Sequence, residues 1–432
     1  MSKKNIKEKA PHEMTHRQLS RHQKQQRRQR IIFFAGIGII VIVALIVAGG
    51  WFFGEYSPLH ATIMEVYDAK FNNQFFIDTL IVYGKSQGTT DLSNIASNIL
   101  DQIKNNEILR VEAEKLGITV SDEEAEQYVS GIDIPISDAL IELARGILLA
   151  QKMQDNYFGP QVLTKNVQLQ VKAMLVESDT VARLVKAQIL SSANFTQLVK
   201  QYATDTASID KNGDYGFHPL DIFKSSFSST VPYSYLSGEG IKNGDISEGL
   251  SDNSSYKKLG YWLIKVNERP DAGSANVSAI LLSSEEQALA VRARLLAGEA
   301  LGPIADNLSQ YNPSISGHGE LGLVLSSDNV TTVFNGYAFN SETPLGQWSE
   351  PLKDAEAYSR GGFWVVWVET KEDNRPLTTD DLNLLIGNLY STWTNTINTA
   401  ATDYVKNDMT QDLLSFALAR ATNILTSLLA SG

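Results

Sequence analysis

The middle of this 432-residue chain contains an internal repeat, and a repeat constrains the fold strongly because both copies have to form the same unit. Most of the matched segments lie 106 residues apart, and the last ones lie 102 apart, so a single small length change spans about a hundred residues. The matched pairs are 171–176 with 277–282, 213–216 with 319–322, 244–248 with 346–350, and 260–262 with 362–364. Two copies indicate paired domains rather than a solenoid.

Each copy has the same predicted order of elements. A strand comes first, two helices follow, then a Gly-acid-x-Gly turn, an irregular segment and a closing strand. In the first copy the helical apolar positions are Phe195, Leu198, Val199 and Tyr202. The breaks at 269–273 and 373–376 predict one domain over 166–269 and a second over 275–372.

Segments on both sides of the repeat are predicted to be helical. Between 55 and 165 we expect a strand at 61–66, a turn at 67–70, and then helices whose apolar residues recur at helical spacing. Gly117 is suited to a left-handed helix end, and Ser121 with Glu124 forms a capping box. Two further helices are predicted within 377–432, and we expect them to complete one module with 55–165.

An apolar segment near the start of the chain predicts a membrane anchor. Ile31 to Phe53 contains 23 residues without a charge, and a helix of that length spans about 34 Å, enough for the hydrocarbon core of a bilayer. Residues 1–30 carry ten Lys or Arg and two Glu, a net charge of +8. The positive-inside rule puts this leader in the cytoplasm and the remaining chain outside the cytoplasmic membrane. A cleaved signal peptide is the competing interpretation.

Several kinds of chemistry have no support in the sequence. Cysteine is absent, which excludes disulfides, thiolate metal sites and cysteine nucleophiles. His218 and His318 lie near the Gly-acid-x-Gly turns without metal-ligand spacing, so we predict no metal and no other cofactor. There is no phosphate loop for ATP. The basic leader is explained by anionic lipid, so no nucleic acid is expected as a partner.

The order of motifs in each copy resembles the parvulin family of peptidyl-prolyl isomerases. The similarity is carried by the first strand, the Gly-acid-x-Gly turn, and the closing strand GYWLIKV at 260–266. The helical stretch LGITVSDEE at 116–124 resembles the N-terminal module of SurA-type and PrsA-type extracytoplasmic foldases. Together the two resemblances cover nearly all of 60–430. They imply an α+β chain with a single N-terminal transmembrane helix, a helical chaperone module from both chain ends, and two tandem parvulin-like domains.

The chain departs from active parvulins at the histidines. Ala173 and Ala279 stand where the family has its first-strand histidine, and Trp262 and Trp364 stand where it has the second. An alanine cannot hydrogen-bond through its side chain, and a tryptophan only donates. The family's acidic position falls on Asp205 in the first copy, which is the one candidate for a catalytic residue.

These features predict a membrane-anchored extracytoplasmic foldase that binds unfolded or newly translocated polypeptides without ATP. The first alternative is an active prolyl isomerase working through Asp205 in the first domain. The second is a non-catalytic scaffold for one fixed partner. The residues expected to contact a bound segment are Tyr215, Phe217, Phe223, Phe227, Trp262, Leu321 and Trp364.

Overall fold

The computed structural model of the chain describes residue 37 and residues 39–132 and 134–430. The predicted leader and the first part of the predicted anchor, 31–36, lie outside the described residues. The chain divides into two compact units. We call residues up to 159 together with 390–432 the terminal unit, and residues 160–389 the central unit.

The fold is α+β, as predicted, with three small antiparallel sheets. The helices are α1 (Ile39–His60), α2 (Asn73–Gln87), α3 (Ala96–Lys115), α4 (Asp122–Val129), α5 (Asp138–Lys152), α6 (Asp179–Leu190), α7 (Phe195–Tyr202), α8 (Thr206–Asp210), α9 (Leu220–Phe223), α10 (Val231–Leu236), α11 (Glu285–Leu296), α12 (Leu301–Leu308), α13 (Asn312–Ser316), α14 (Thr332–Ala338), α15 (Thr379–Ala400) and α16 (Gln411–Ala430). The strands are β1 (Thr62–Val66), β2 (Ala69–Asn72), β3 (Lys165–Val176), β4 (Asp214–Pro219), β5 (Leu250–Lys257), β6 (Gly260–Asp271), β7 (Ser274–Leu282), β8 (Glu320–Leu325), β9 (Leu352–Asp354), β10 (Ser359–Pro376) and β11 (Val405–Asn407).

The predicted helix ends are confirmed in the terminal unit. Gly117 has a φ of +76° just after α3, and Ser121 and Glu124 form the reciprocal capping box of α4. The turn predicted at 67–70 is confirmed only at its first two residues, because Ala69 already begins β2, a strand that was not predicted. A two-residue connection leaves Val66 opposite Ala69, and only Tyr67 and Asp68 form the turn. Lys70 to Asn72 then pair with β1.

Both ends of the chain contribute to the core of the terminal unit. Its sheet has the order β11-β1-β2, so a strand from beyond residue 400 pairs with one from the start. Helix α16 packs on α2, with Ala417, Ala421 and Leu425 fully buried. A Cβ at Gly84 would overlap the end of the Leu425 side chain, so a larger residue there would displace that side chain from the contact between the two helices.

The central unit contains two sheets that are equivalent strand for strand. The first sheet has the order β4-β3-β10-β5, and the second has the order β8-β7-β6-β9. In the first, β3 begins copy one, but its neighbour β10 closes copy two. In the second, β7 begins copy two and pairs with β6, which closes copy one. The two copies therefore exchange their closing strands, and the predicted ranges 166–269 and 275–372 describe sequence copies rather than sheets.

The exchange has a simple chain path. Residues 260–354 form the second sheet with its helices as one continuous insertion between β5 and β10. The chain leaves the first sheet after Lys257 and returns at Ser359, and these residues lie opposite each other. Gly260 and Asp354, at the ends of the insertion, are also paired. Insertions of this kind are tolerated because both points of connection are close together.

Candidate functional site

The candidate site in each sheet lies where the first strand of one copy pairs with the closing strand of the other. Ala173 is opposite Val366 in the first sheet, and Ala279 is opposite Ile264 in the second. Both alanines are completely buried. The tryptophans lie two residues before these partners on the closing strands and are at most 1% exposed. The positions that hold histidines in the resembled family thus form part of an apolar sheet face here.

Each tryptophan has its only polar atom bound to a buried carboxylate. The Trp364 indole N–H donates to Asp252 Oδ2 over 3.0 Å, and the Trp262 indole N–H donates to Asp354 Oδ2 over 2.9 Å. Asp252 and Asp354 are 3% and 0% exposed and occupy equivalent positions on β5 and β9. Because the closing strands are exchanged, each pair joins a tryptophan of one copy to an aspartate of the other.

The carboxylate of Asp252 is stabilised in its charged form. Burial acts to raise its pKa, but hydrogen bonds from Ser229, Ser255, Ser254 and Trp364 outweigh burial and hold the pKa well below its usual 3.8. A depressed carboxylate pKa stabilises the folded state above the ordinary pKa, and that stabilisation is lost as the pH falls toward the lowered value. The group is therefore a fixed negative charge at neutral pH, fully engaged by donors.

We expect the Trp364 and Asp252 side chains to be energetically coupled across the two copies. In a double-mutant cycle of Trp364→Phe and Asp252→Asn, the coupling should be about 1.5–3 kcal/mol, the usual range for a hydrogen bond to a charged group. Urea unfolding of the full chain in detergent, followed by near-ultraviolet circular dichroism, measures it. The matched cycle of Trp262→Phe with Asp252→Asn should be additive within about 0.5 kcal/mol. Coupling between Trp262 and Asp252, which belong to the same copy, and none between Trp364 and Asp252 would contradict the exchange of closing strands.

Asp205 lies at a helix start and is 4% exposed. Its carboxylate accepts the backbone N–H of Ser208 at 2.9 Å as the N-cap of α8, and the N–H of Leu175 at 3.3 Å. Burial raises its pKa above the usual 3.8, and these hydrogen bonds offset only part of the increase. The contacts of this carboxylate position α8 on β3. A catalytic role for Asp205 stays a prediction.

The structure separates the predicted binding residues into a buried group and a half-exposed group. Phe217 and Leu321 are half-buried, and the Arg375 guanidinium lies 4.0 Å from the centre of the Phe217 ring. The buried group is no more than 8% exposed and comprises Tyr215, Phe223, Phe227, Trp262 and Trp364. Four of these five pack together in the core of the first sheet. Their side chains fill the space under α9 and α10 in this conformation, and a role in binding stays a prediction.

The two histidines near the turns bind single carboxylates. His218 Nδ1 lies 2.7 Å from an Asp381 oxygen, and His318 Nδ1 lies 2.9 Å from an Asp306 oxygen. Asp381 is 1% exposed, so its contact ties the start of α15 to β4. Over the described ranges, no three His, Asp or Glu side chains come together in a possible metal site.

Sequence reasoning missed three buried polar residues of the central unit. Asp252 and Asp354 could have been found, because they are separated by the same 102 residues as the two tryptophans. Lys257 has no such signal. It is 2% exposed, and its Nζ has no hydrogen-bond partner within the described ranges. Burial lowers the pKa of Lys257 from 10.5 to about 8, and the nearby Glu177 charge offsets only part of this effect.

Comparison with known proteins shows distant homology to foldases and isomerases. The chain is 24% identical over 184 residues to the foldase protein PrsA of Caldanaerobacter subterraneus, which covers 39% of this chain and 58% of that protein. It is 27% identical over 126 residues to foldase protein PrsA 1 of Bacillus cereus, with coverages of 29% and 40%. It is 24% identical over 228 residues to a probable parvulin-type peptidyl-prolyl cis-trans isomerase of Bordetella pertussis, with coverages of 49% and 79%.

The similarity is partial in length and in structure. The chain spans less than two thirds of the length of these PrsA relatives. No protein-family model matches the chain. The crystal structure of PrsA from Bacillus anthracis aligns with 76% of this chain and 97% of its own at 11% identity and a TM-score of 0.28. That score is too low to establish a common arrangement of whole chains. The sequence matches establish distant homology to PrsA foldases and parvulin-type isomerases.

Proposed function

We propose that this protein is a membrane-anchored, extracytoplasmic chaperone whose two parvulin-like sheets do not catalyse isomerisation. The observation that carries the proposal is the pairing of each closing-strand tryptophan with a buried aspartate. The indole N–H is already used, and Ala173 and Ala279, on the neighbouring first strands, have no polar side-chain atom. Within the described ranges, the four positions that correspond to the family's histidines therefore offer no free side-chain hydrogen-bonding group with which to hold a twisted prolyl bond.

Protein clients are the substrates that the homology favours. The relatives named as foldases act on proteins by that name, and the distant homology extends this class to the present chain. Such binding requires apolar and polar contact with an unfolded segment but no covalent chemistry. We expect several unrelated clients rather than one fixed partner, in contrast to a scaffold.

The position of α1 supports the anchoring part of the proposal. This helix is long and apolar enough to cross a bilayer and is almost entirely exposed. Trp51 and Tyr56 lie near its end, as aromatic residues do at a membrane surface. Helix α16 is also long and apolar enough to cross a bilayer, but it packs on α2 in the terminal unit. A native protein that fractionates with membranes at full length supports the anchor, and a soluble form beginning near Trp51 would exclude it.

We expect the full chain in nanodiscs to delay aggregation of an unfolded client without accelerating prolyl isomerisation. Loss of a positioned hydrogen-bonding group commonly costs about a hundredfold or more in rate, and each sheet lacks two. The uncatalysed reaction takes roughly tens to hundreds of seconds, so a residual effect would disappear in that background. Light scattering of two unrelated heat-unfolded enzymes and a prolyl-peptide assay measure the two activities.

The matched variant for this test is Asp205→Asn, which keeps an oxygen acceptor for the N–H of Ser208. Clear turnover by the parent that disappears in this variant would establish the first domain as an isomerase. Binding to only one of many clients would favour the scaffold.

A further inference from the structure

The terminal unit contains a cavity of about 670 Å³ beside the outer strand of its sheet. All four residues of β2 line it, together with side chains from α2, α3, α4 and α5. A smaller void shares Phe71, Phe75, Glu107 and Glu142 with this cavity and adds apolar side chains, including Ile103 and Leu143. The space therefore has an apolar part and a charged part.

Strand β2 is at the edge of the sheet. The order β11-β1-β2 gives it one neighbour, and no other described strand pairs with its outer side. An unpaired strand edge exposes backbone N–H and C=O groups that can accept an added strand. Here the free edge and the cavity are formed by the same residues, so a segment added to the edge would reach the cavity with its side chains.

The charges that line the cavity are unequally compensated. Five carboxylates face three cationic side chains. Arg110 binds Glu107 through two hydrogen bonds of 2.8 and 2.6 Å, and Arg145 bridges Glu142 and Asp122. The third cation, Lys70, pairs with a carboxylate outside the cavity. All three cations are therefore occupied.

Two carboxylates lack a cationic partner within the described ranges, Asp78 and Asp138. Asp78 accepts only a neutral hydrogen bond, from Gln74 Nε2 at 2.8 Å. Burial raises the pKa of Asp78, the Gln74 hydrogen bond offsets part of this, and the charge of Asp138 raises it further. A cationic group placed between the two carboxylates would relieve their repulsion. The apolar surface next to them is formed by Phe71 and Phe75, whose ring centres are 5.2 Å apart.

We propose that an extended client segment adds to the free edge of β2 and places a basic side chain by Asp78 and Asp138 and an apolar side chain against Phe71 and Phe75. Side chains two positions apart point to the same side of a strand. The preferred segment therefore carries a basic residue and an apolar residue two positions apart, so that both side chains point to the same side of the added strand. This inference rests on the proposed chaperone function and names the class of segment that it binds.

The test uses the full chain in nanodiscs of neutral lipid, which avoids binding of a cationic peptide to the bilayer. The probe is a short fluorescein-labelled peptide with threonine at every second position and lysine and valine alternating between them. Fluorescence anisotropy should show saturable binding, and glutamate in place of the lysines should weaken it by about tenfold or more, equivalent to about 1.4 kcal/mol. Methylation of backbone nitrogens at alternate positions, which blocks strand addition, should also weaken it by about tenfold or more.

Asp78→Asn combined with Asp138→Asn should lower the affinity for the lysine peptide by about tenfold or more. The matched control is Asp91→Asn combined with Asp412→Asn, which removes the same charge from exposed positions outside the cavity lining. Its affinity should equal that of the parent. Equal affinities of the two double variants, or unchanged binding of the methylated peptide to the parent, would overturn the proposed site.

Client aggregation measured with the same preparations separates this inference from the proposed function. A parent that delays aggregation but binds the peptide independently of Asp78 and Asp138 would leave the function standing and exclude the site. A parent that binds the peptide through these residues but does not delay aggregation would support the site and exclude the chaperone function. The lysine, glutamate and methylated peptides are compared on the unsubstituted chain. The proposal can therefore be tested even if a substituted variant folds poorly.

Discussion

Oxidation of a variant carrying Gln170→Cys and Thr370→Cys is expected to form a disulfide in nearly every molecule. These residues are direct partners in the β3–β10 pair. Side chains directly opposite on antiparallel strands have Cβ atoms about 4.5–5.5 Å apart, so a small movement of the strands brings them to the roughly 3.5–4.5 Å of a disulfide. The natural chain has no cysteine, so any cross-link comes from the introduced pair. A mobility shift on a non-reducing gel measures it, because the bond closes a loop of some two hundred residues.

The control for this experiment is Gln170→Cys with Glu268→Cys. Glu268 is the residue equivalent to Thr370 in the other copy, and it lies opposite Asn276 rather than Gln170. In two unexchanged tandem domains this second pair would be adjacent and the first would not. A cross-link in the control and none in the Gln170 and Thr370 variant would therefore exclude the exchange of closing strands.

The second large effect is expected at Lys257, where removal of the charge should stabilise the central unit. A buried amine without a hydrogen-bond partner disfavours the folded state at neutral pH, because folding must remove the charge from water or displace its proton. The lowered pKa, from 10.5 to about 8, corresponds to about 3.5 kcal/mol, since one pKa unit is worth about 1.4 kcal/mol. Lys257→Met keeps the length of the side chain and should gain about that much in urea unfolding at pH 7.

The adjacent Lys258 provides a matched control, because it is exposed. Lys258→Met should change the free energy of unfolding by no more than about 0.5 kcal/mol. The pH dependence has a definite sign. Between pH 8 and 10.5 the unfolded amine binds a proton that the folded one has released, so the parent becomes more stable as the pH rises through this window. The Lys257→Met variant should lose that rise, and an unchanged slope would show that another group causes it.

Local patterns in the sequence were sufficient to predict helix ends that depend on neighbouring residues. The capping box at Ser121 and the left-handed Gly117 could be predicted because each depends on residues only a few positions away. Strand β2 could not, since a four-residue strand after a two-residue turn has too few positions to show an alternating pattern. The cavity beside it joins residues more than seventy positions apart in the chain, and no local pattern specifies such a set.

The repeat shows which residues are equivalent, but not which copies pair. Trp262 and Trp364 were recognisable as counterparts from their spacing, and Asp252 and Asp354 have the same spacing. Both a tandem and an exchanged arrangement would satisfy this pattern, because equivalent strands present similar faces to either partner. The tertiary structure decides the choice through the connection between β6 and β7, where only Ala272 and Gly273 separate the strands. A hairpin with so short a loop forms at a lower entropic cost than pairing across the 83 residues between β3 and β6.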